Sequence, residues 1–215
     1  MSFTTLFFDV DDTLYPATAG LWEAIRDRMS EFMHERLNLS PQEIPMLRRS
    51  YFEKYGTTLR GLQIHYHIDP DDYLTYVHDL HLESFLKPDP VLRSLLLSLP
   101  QNKWIFTNAD EQHARRVIET LGLSHCFVGI VDVRAMDYHC KPEVEAYRLA
   151  MDFAGETEPH NCVLFDDSAR NLAPALDLGF FTILVGTNQP NKAANKTIPN
   201  LKDLPKKMPQ LWSNS

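Results

Sequence analysis

The chain has 215 residues, 44% of them hydrophobic and 23% charged, which suits a globular protein able to bury a core without disulfide staples. Its 21 Lys and Arg against 29 Asp and Glu leave a net charge of −8, which excludes any general attraction to nucleic acid polymers or anionic membranes. No apolar run approaches the ~20 residues of a membrane span.

The N-terminal segment MSFTTLFFDV lacks the basic start and long apolar stretch of a secretory signal. Its apolar part, Leu6-Phe7-Phe8, instead reads as a first strand that stops at Asp9. From Gly20 to about Phe85 the pattern is helical, with Trp22, Ile25, Met29, Phe32 and Met33 at helical spacing. Further helices are expected near Pro41–Tyr55 and Pro70–His81, and Lys87-Pro88-Asp89-Pro90 reads as a hinge or turn.

Beyond that point short apolar runs alternate with helical patterns. Trp104–Phe106 ends at Thr107-Asn108, and Phe127–Val131 ends at Asp132. Cys162–Phe165 ends at Asp166-Asp167, and Phe181–Val185 ends at Gly186. Runs this short, with abrupt polar exits, fit strands buried on both faces of a parallel sheet. Helices are expected at Glu111–Leu121, at Pro142–Ala154 with proline near its first position, and at Ser168–Leu178 with serine as N-cap. Asn188–Ser215, with four prolines, five lysines and one aspartate, reads as a tail wrapped on the surface or partly mobile.

The expected fold class is α/β: a Rossmann-like, doubly wound parallel sheet carrying an inserted all-helical domain. The expected division is 1–15 with 88–215 for the core and 16–87 for the insert. Cys126, Cys140 and Cys162 are odd in number and lack CxxC spacing. They read as buried thiols in a reducing compartment, so a cytoplasmic location is expected.

The chemistry gathers where strands end, as ligand sites of open α/β sheets do. Asp9-Val10-Asp11-Asp12-Thr13 follows the first strand, and Thr107, Asn108, Asp166 and Asp167 follow two others. Carboxylates converging on one spot need a cation. Oxygen donors without Cys or His suit Mg²⁺. A carboxylate beside such an ion can attack phosphorus, and a second carboxyl two residues on can act as general acid and base. Thr107 can hold phosphoryl oxygens, and Lys141 can neutralise charge on nucleophile and phosphate.

These segments resemble the haloacid dehalogenase-like phosphohydrolases. The resemblance runs from Leu6 to about Val185 and rests on four motifs in order: Phe8-Asp9-Val10-Asp11-Asp12-Thr13-Leu14, Phe106-Thr107-Asn108, the lysine of Cys140-Lys141-Pro142, and Phe165-Asp166-Asp167-Ser168 continuing to Asn171. The resemblance implies Asp9 as nucleophile and Asp11 as general acid–base. It also implies a Mg²⁺ held by Asp9, the Asp11 carbonyl and Asp167, with Asp166 as further ligand or orienter. Thr107, Asn108 and Lys141 would bind the phosphoryl group.

Tyr15-Pro16, Tyr55–Leu62, Lys87-Pro88-Asp89 and Trp104–Ala109 look like the pyrimidine 5′-nucleotidase branch. That likeness implies hydrolysis of nucleoside 5′-monophosphates such as UMP and CMP through an aspartyl phosphate, with the helical insert as a cap that chooses the substrate. Tyr55 and Arg60 are its candidate substrate contacts, and Tyr15, Thr57, Thr58, His65 and His67 could also meet ribose or base. The expected partner is a small phosphorylated substrate, and the expected state a monomer or small homo-oligomer.

Rival readings are a phosphatase of the same core acting on a sugar phosphate or phosphoglycolate, a sugar phosphomutase, and a non-catalytic phosphate-binding module. A 2-haloacid dehalogenase is disfavoured, because that group of the family works without metal and lacks an acidic residue at the position of Asp11.

Overall fold

The computed structural model describes Phe3–Trp212, so the last three residues of the expected tail lie outside the described residues. The chain divides into two compact units, Met1–Ala19 with Leu86–Ser215, and Gly20–Phe85.

The first unit is built on six strands: β1 (Thr5–Phe8), β2 (Asn102–Phe106), β3 (Gly129–Val131), β4 (Cys162–Asp166), β5 (Phe181–Val185) and β6 (Lys196–Ile198). They form one sheet in the order β3-β2-β1-β4-β5-β6, and every neighbouring pair is parallel. This is the expected Rossmann-like α/β arrangement. β1 and β4 are buried at every residue, which is why they read as unbroken apolar runs rather than alternating ones. β3 begins two residues later than the apolar run suggests. Phe127 instead packs edge-on to Phe8, 5.9 Å between centroids. Gly129 is required there, because a Cβ would lie 2.4 Å from the Trp104 ring.

The second unit is helical: α1 (Leu21–Leu37), α2 (Ile44–Tyr55), α3 (Thr58–Tyr66) and α4 (Pro70–His78). Leu21, Ile25, Phe32 and Met33 form the buried stripe of α1, and Trp22 falls outside it on the exposed side. Phe32 meets Tyr73 and Tyr76 of α4 edge-on, at 5.0 and 5.4 Å. α2 lies directly on α3 at Gly61, where a Cβ would sit 2.2 Å from the Tyr51 ring.

The remaining helices belong to the first unit: α5 (Pro90–Ser98), α6 (Glu111–Thr120), α7 (Val144–Ala154), α8 (Ala169–Leu178) and the short α9 (Leu204–Lys207). Three differences from the sequence reading have local causes. Lys87–Pro90 is the opening of α5 as well as a turn, since the Asp89 carboxylate accepts the Leu92 amide at 3.0 Å and Pro90 takes the first helical position. Pro142 does not start α7: the Lys141–Pro142 peptide is cis, and the helix begins at Val144.

The third difference is the tail, which is part of the sheet and core. Its β6 pairs with β5, and Leu201, Leu204, Met208 and Leu211 are buried. Lys202 Nζ reaches the Asp89 carboxylate at 2.6 Å. The proline and lysine content hid a stripe of widely spaced apolar anchors. Leu204→Ala therefore should lower unfolding stability by about 2–5 kcal/mol, the usual cost of emptying a buried leucine site. A denaturation curve unchanged by the substitution would mean a loosely wrapped tail.

Candidate active site

The sheet order reverses between β1 and β4, because the chain builds outward to β2 and β3 on one side and to β5 and β6 on the other. Side chains just past the ends of strands at such a reversal share one crevice. Phe8 pairs with Phe165 across β1 and β4, and the Asp9 amide donates to the Phe165 carbonyl at 2.9 Å. That register sets Asp9 beside Asp166.

Lys141 joins them. Its Nζ lies 2.8 Å from Asp9 Oδ1, 2.7 Å from Asp166 Oδ2 and 2.8 Å from the Phe106 carbonyl oxygen. The ammonium therefore spends its donors on the ends of β1, β2 and β4, and the residue is only 1% exposed. Burial alone would lower its pKa. The Asp166 and Asp9 carboxylates outweigh that and raise it above the ordinary lysine value, so the group stays charged.

Asn108 fixes where Lys141 enters. Its amide Nδ2 donates to the Lys141 carbonyl at 2.9 Å, and its Oδ1 accepts the Lys141 amide at 2.8 Å. The side chain expected on substrate is thus committed to the backbone of the lysine. Thr107 is buried, and its Oγ1 accepts the Ala109 amide at 3.1 Å.

Asp166 is fully buried. It accepts the Ser168 amide at 2.9 Å and the Asn171 side-chain amide at 3.1 and 3.2 Å. Ser168 stands at the N-cap of α8 as expected, but its side chain makes no capping bond. The capping region is used to hold Asp166 instead.

Asp9, Asp166 and Asp167 each offer an oxygen, and these lie within 4.8 Å of one another. Loss of hydration pushes the Asp9 carboxyl well above its ordinary range, with Lys141 pulling the other way and Asp166 and Asp167 adding to the rise. Asp167 retains solvent exposure, yet the protein packed around its carboxyl, followed by the charges of Asp166 and Asp12, pushes it up to about 7. In their ionised forms, three carboxylates against one ammonium leave an uncompensated negative charge. An all-oxygen donor set of this kind suits a hard divalent cation such as Mg²⁺.

Asp11 lies in the turn after β1, where Val10 accepts the Thr13 and Leu14 amides and Asp12 takes a left-handed φ of 57°. Its Oδ1 meets the Tyr15 hydroxyl at 2.5 Å and His113 Nε2 at 2.9 Å. Tyr15, expected among the groups meeting ribose or base, is buried and turned to Asp11. His113 was not legible as a site residue, because it sits within the apolar stripe of α6, with Ala114, Val117 and Ile118 also buried.

The remaining candidates lie in the helical unit. Tyr55 Oη and His65 Nε2 are 2.8 Å apart, and His65 stacks on Tyr51 at 5.2 Å. Thr57 caps α3 by accepting the Arg60 amide at 3.1 Å, Thr58 is buried, and His67 ends α3 in the left-handed region. Arg60 is half-buried. The three cysteines are buried and unpaired with one another, and no described helix is long and apolar enough to cross a membrane.

Residues 3–179 match the model of a family described as haloacid dehalogenase-like hydrolase. Phosphate metabolism protein 8 of Saccharomyces cerevisiae is 32% identical over 187 residues, covering 80% of this chain and 58% of the yeast protein. The chain thus spans little more than half the length of that relative. Among solved structures, YfnB of Bacillus subtilis, described as a HAD-hydrolase bound to magnesium, superposes with a TM-score of 0.64 at 18% identity, covering 96% of this chain and 98% of that one. L-2-haloacid dehalogenase of Xanthobacter autotrophicus gives 0.60 at 16% identity, covering 95% and 97%. Identities this low show the shared fold.

The raised carboxyls make a testable statement about cations. A carboxyl whose folded pKa exceeds its unfolded value adds stability as pH falls through the folded value, whereas a bound cation favours the ionised form. Metal-free protein should therefore gain stability from its Asp167 carboxyl as pH falls from about 8 to about 5.5. Added Mg²⁺ should stabilise more at the higher pH, by about 2.7 kcal/mol at one hundred times its Kd. Asp167→Asn should remove most of that gain. Calorimetry with and without Mg²⁺ at the two pH values checks this, and a melting curve indifferent to Mg²⁺ would contradict it.

Proposed function

The chain belongs to the haloacid dehalogenase-like hydrolases, and from that premise we propose that it is a Mg²⁺-dependent phosphomonoesterase acting on nucleoside 5′-monophosphates, UMP and CMP foremost. The observation that supports this most is the joint geometry of Asp9, Asp166 and Asp167 around the buried Lys141, with a second carboxyl, Asp11, two residues beyond Asp9. A dehalogenase has no use for a group that protonates an alkoxide. A phosphomonoesterase needs one.

In this mechanism Asp9 attacks the phosphorus and the ester oxygen departs, taking its proton from Asp11. Water then attacks the aspartyl phosphate, gives its proton to Asp11, and releases inorganic phosphate with Asp9 restored. Lys141 holds Asp9 in place and offsets charge. Thr107 already uses a lone pair on Ala109, and its O–H donates to a phosphoryl oxygen. Asp9, Asp166, Asp167 and the Asp11 carbonyl are the groups that would hold Mg²⁺. The ion supplies charge stabilisation on the phosphoryl oxygens and a template for in-line displacement.

Phosphate release measured over nucleoside monophosphates and sugar phosphates with Mg²⁺ tests the reading, with a hexose 1-phosphate and a 2-haloacid as the mutase and dehalogenase controls. The expected result is free phosphate from UMP or CMP, none in chelator and no halide released. Asp9→Asn should remove nearly all turnover with the fold retained, because its amide oxygen still accepts from Lys141 while being a far poorer nucleophile. Isomerised hexose phosphate without free phosphate, or halide release in chelator, would replace the reading.

The nucleotide preference is assigned to the helical unit, with Tyr55 and Arg60 as contacts for the base or sugar. Arg60→Ala should then lower kcat/KM for UMP by about two- to tenfold and leave a small aryl phosphate unaffected, the scale of one lost neutral hydrogen bond. Equal losses on both substrates would assign Arg60 to the fold or to the phosphate site instead.

A further inference from the structure

The carboxyl of Asp11 is held from two sides at one atom. Tyr15 Oη donates to Oδ1 at 2.5 Å, and His113 Nε2 lies 2.9 Å from the same oxygen. Both partners are buried, Tyr15 at 4% and His113 at 1% exposure. They arrive from different parts of the chain. Tyr15 belongs to the turn that carries Asp11 itself. His113 stands in the first turn of α6, which is fixed by its own capping groups: Asp110 accepts the His113 amide at 2.9 Å, and Asp132 accepts the Glu111 amide at 2.8 Å.

A carboxyl on a short side chain has a broad, soft terminal torsion. Proton transfer, however, needs the reacting oxygen within hydrogen-bond reach of the leaving group. Two fixed partners on one oxygen, the Tyr15 hydroxyl as donor and His113 Nε2 as donor in its Nε2–H tautomer, remove that freedom and define the direction of the other oxygen.

We propose that His113 and Tyr15 are the positioning residues of Asp11, holding Oδ1 so that the catalytic proton passes through Oδ2. The proposal rests on the phosphomonoesterase reading. In the first half-reaction the Oδ2 proton moves to the ester oxygen as its bond to phosphorus breaks and the Asp9–phosphorus bond forms. In the second, water bonds to phosphorus, its proton returns to Oδ2, and the Asp9–phosphorus bond breaks. Oδ1 keeps its two hydrogen bonds throughout.

A double-mutant cycle separates this from simple core satisfaction of a buried imidazole. The substrates are an alkyl and an aryl phosphomonoester, and the variants are His113→Leu and His113→Gln, each alone and combined with Asp11→Asn. His113→Leu fills the space and removes the nitrogen, and should lower kcat for the alkyl ester about tenfold with KM within about twofold. The loss should be smaller for the aryl ester, whose leaving group needs less protonation. His113→Gln, which keeps an N–H at similar reach, should recover most of it. In the Asp11→Asn background His113→Leu should cost under about twofold, since the group it positions is gone.

Equal losses in both backgrounds, a loss confined to KM, or no loss would each overturn the proposal. A wild-type protein that releases no phosphate from any monoester would instead overturn the phosphatase reading. The imidazole ¹⁵N resonances of His113 then judge the contact on its own: they should shift on Asp11→Asn, and unchanged resonances overturn the positioning role.

Discussion

The buried ammonium of Lys141 is the interaction on which the first unit depends. It donates to Asp9, to Asp166 and to the Phe106 carbonyl, the ends of three adjacent strands. Taking an ion out of water costs several kcal/mol, and only close, well-aligned partners offset it. Two carboxylates and a carbonyl do so here. The same carboxylates would repel each other without the lysine. Asp9, Asp166 and the strand spacing are therefore one electrostatic unit, and removing the lysine would leave two buried carboxylates facing each other.

That unit is backed by packed rings. On one face of the sheet Phe7 contacts Phe106 and Phe180 at 6.0 and 6.1 Å, and Tyr147 of α7 closes the group at 5.4 Å from Phe106. On the other, Phe8 and Phe165 stack at 4.4 Å, nearly parallel. The ring layer also reaches the site through polar atoms. The Tyr147 hydroxyl donates to the Asn171 carbonyl at 2.5 Å, and the Asn171 side chain holds Asp166. Packing and charge placement are thus linked through Asn171, and a core this dense transmits small displacements rather than absorbing them.

Much of this was legible in the chain. Five of the six strands announce themselves as short apolar runs, most fully in β1 and β4, which are buried at every residue. Asp9, Thr107, Asn108, Asp166 and Asp167 could be picked out because they follow those runs directly. What was hidden has physical reasons. β6 is an edge strand with few apolar residues, and α9 is four residues long with Pro205 in its first turn, so neither has a period to detect. α3 was obscured by glycine at position 61, which is there for the approach of Tyr51 and not to break the helix. His113 lies within an apolar helical stripe and points to Asp11 only in three dimensions. The amide of Asn108 looked like a ligand for substrate, and only the fold shows it bonded at both ends to the lysine backbone.

The four-residue strand β1 has a consequence for how chains of this kind can change in length. Asp9 sits immediately past its last residue, and its neighbours are set by the pairing of Thr5–Phe8 with β2 and β4. Deleting or adding one residue within Thr5–Phe8 would put Phe8 or Val10 where Asp9 belongs and turn the alternate side chain toward Lys141. Between Ala19 and Leu86, by contrast, the chain carries an entire helical unit. Loop closure costs rise only slowly with length. Insertions in descendants of this sequence should accumulate between those two points, while Thr5–Phe8 keep a fixed count even as their identities drift.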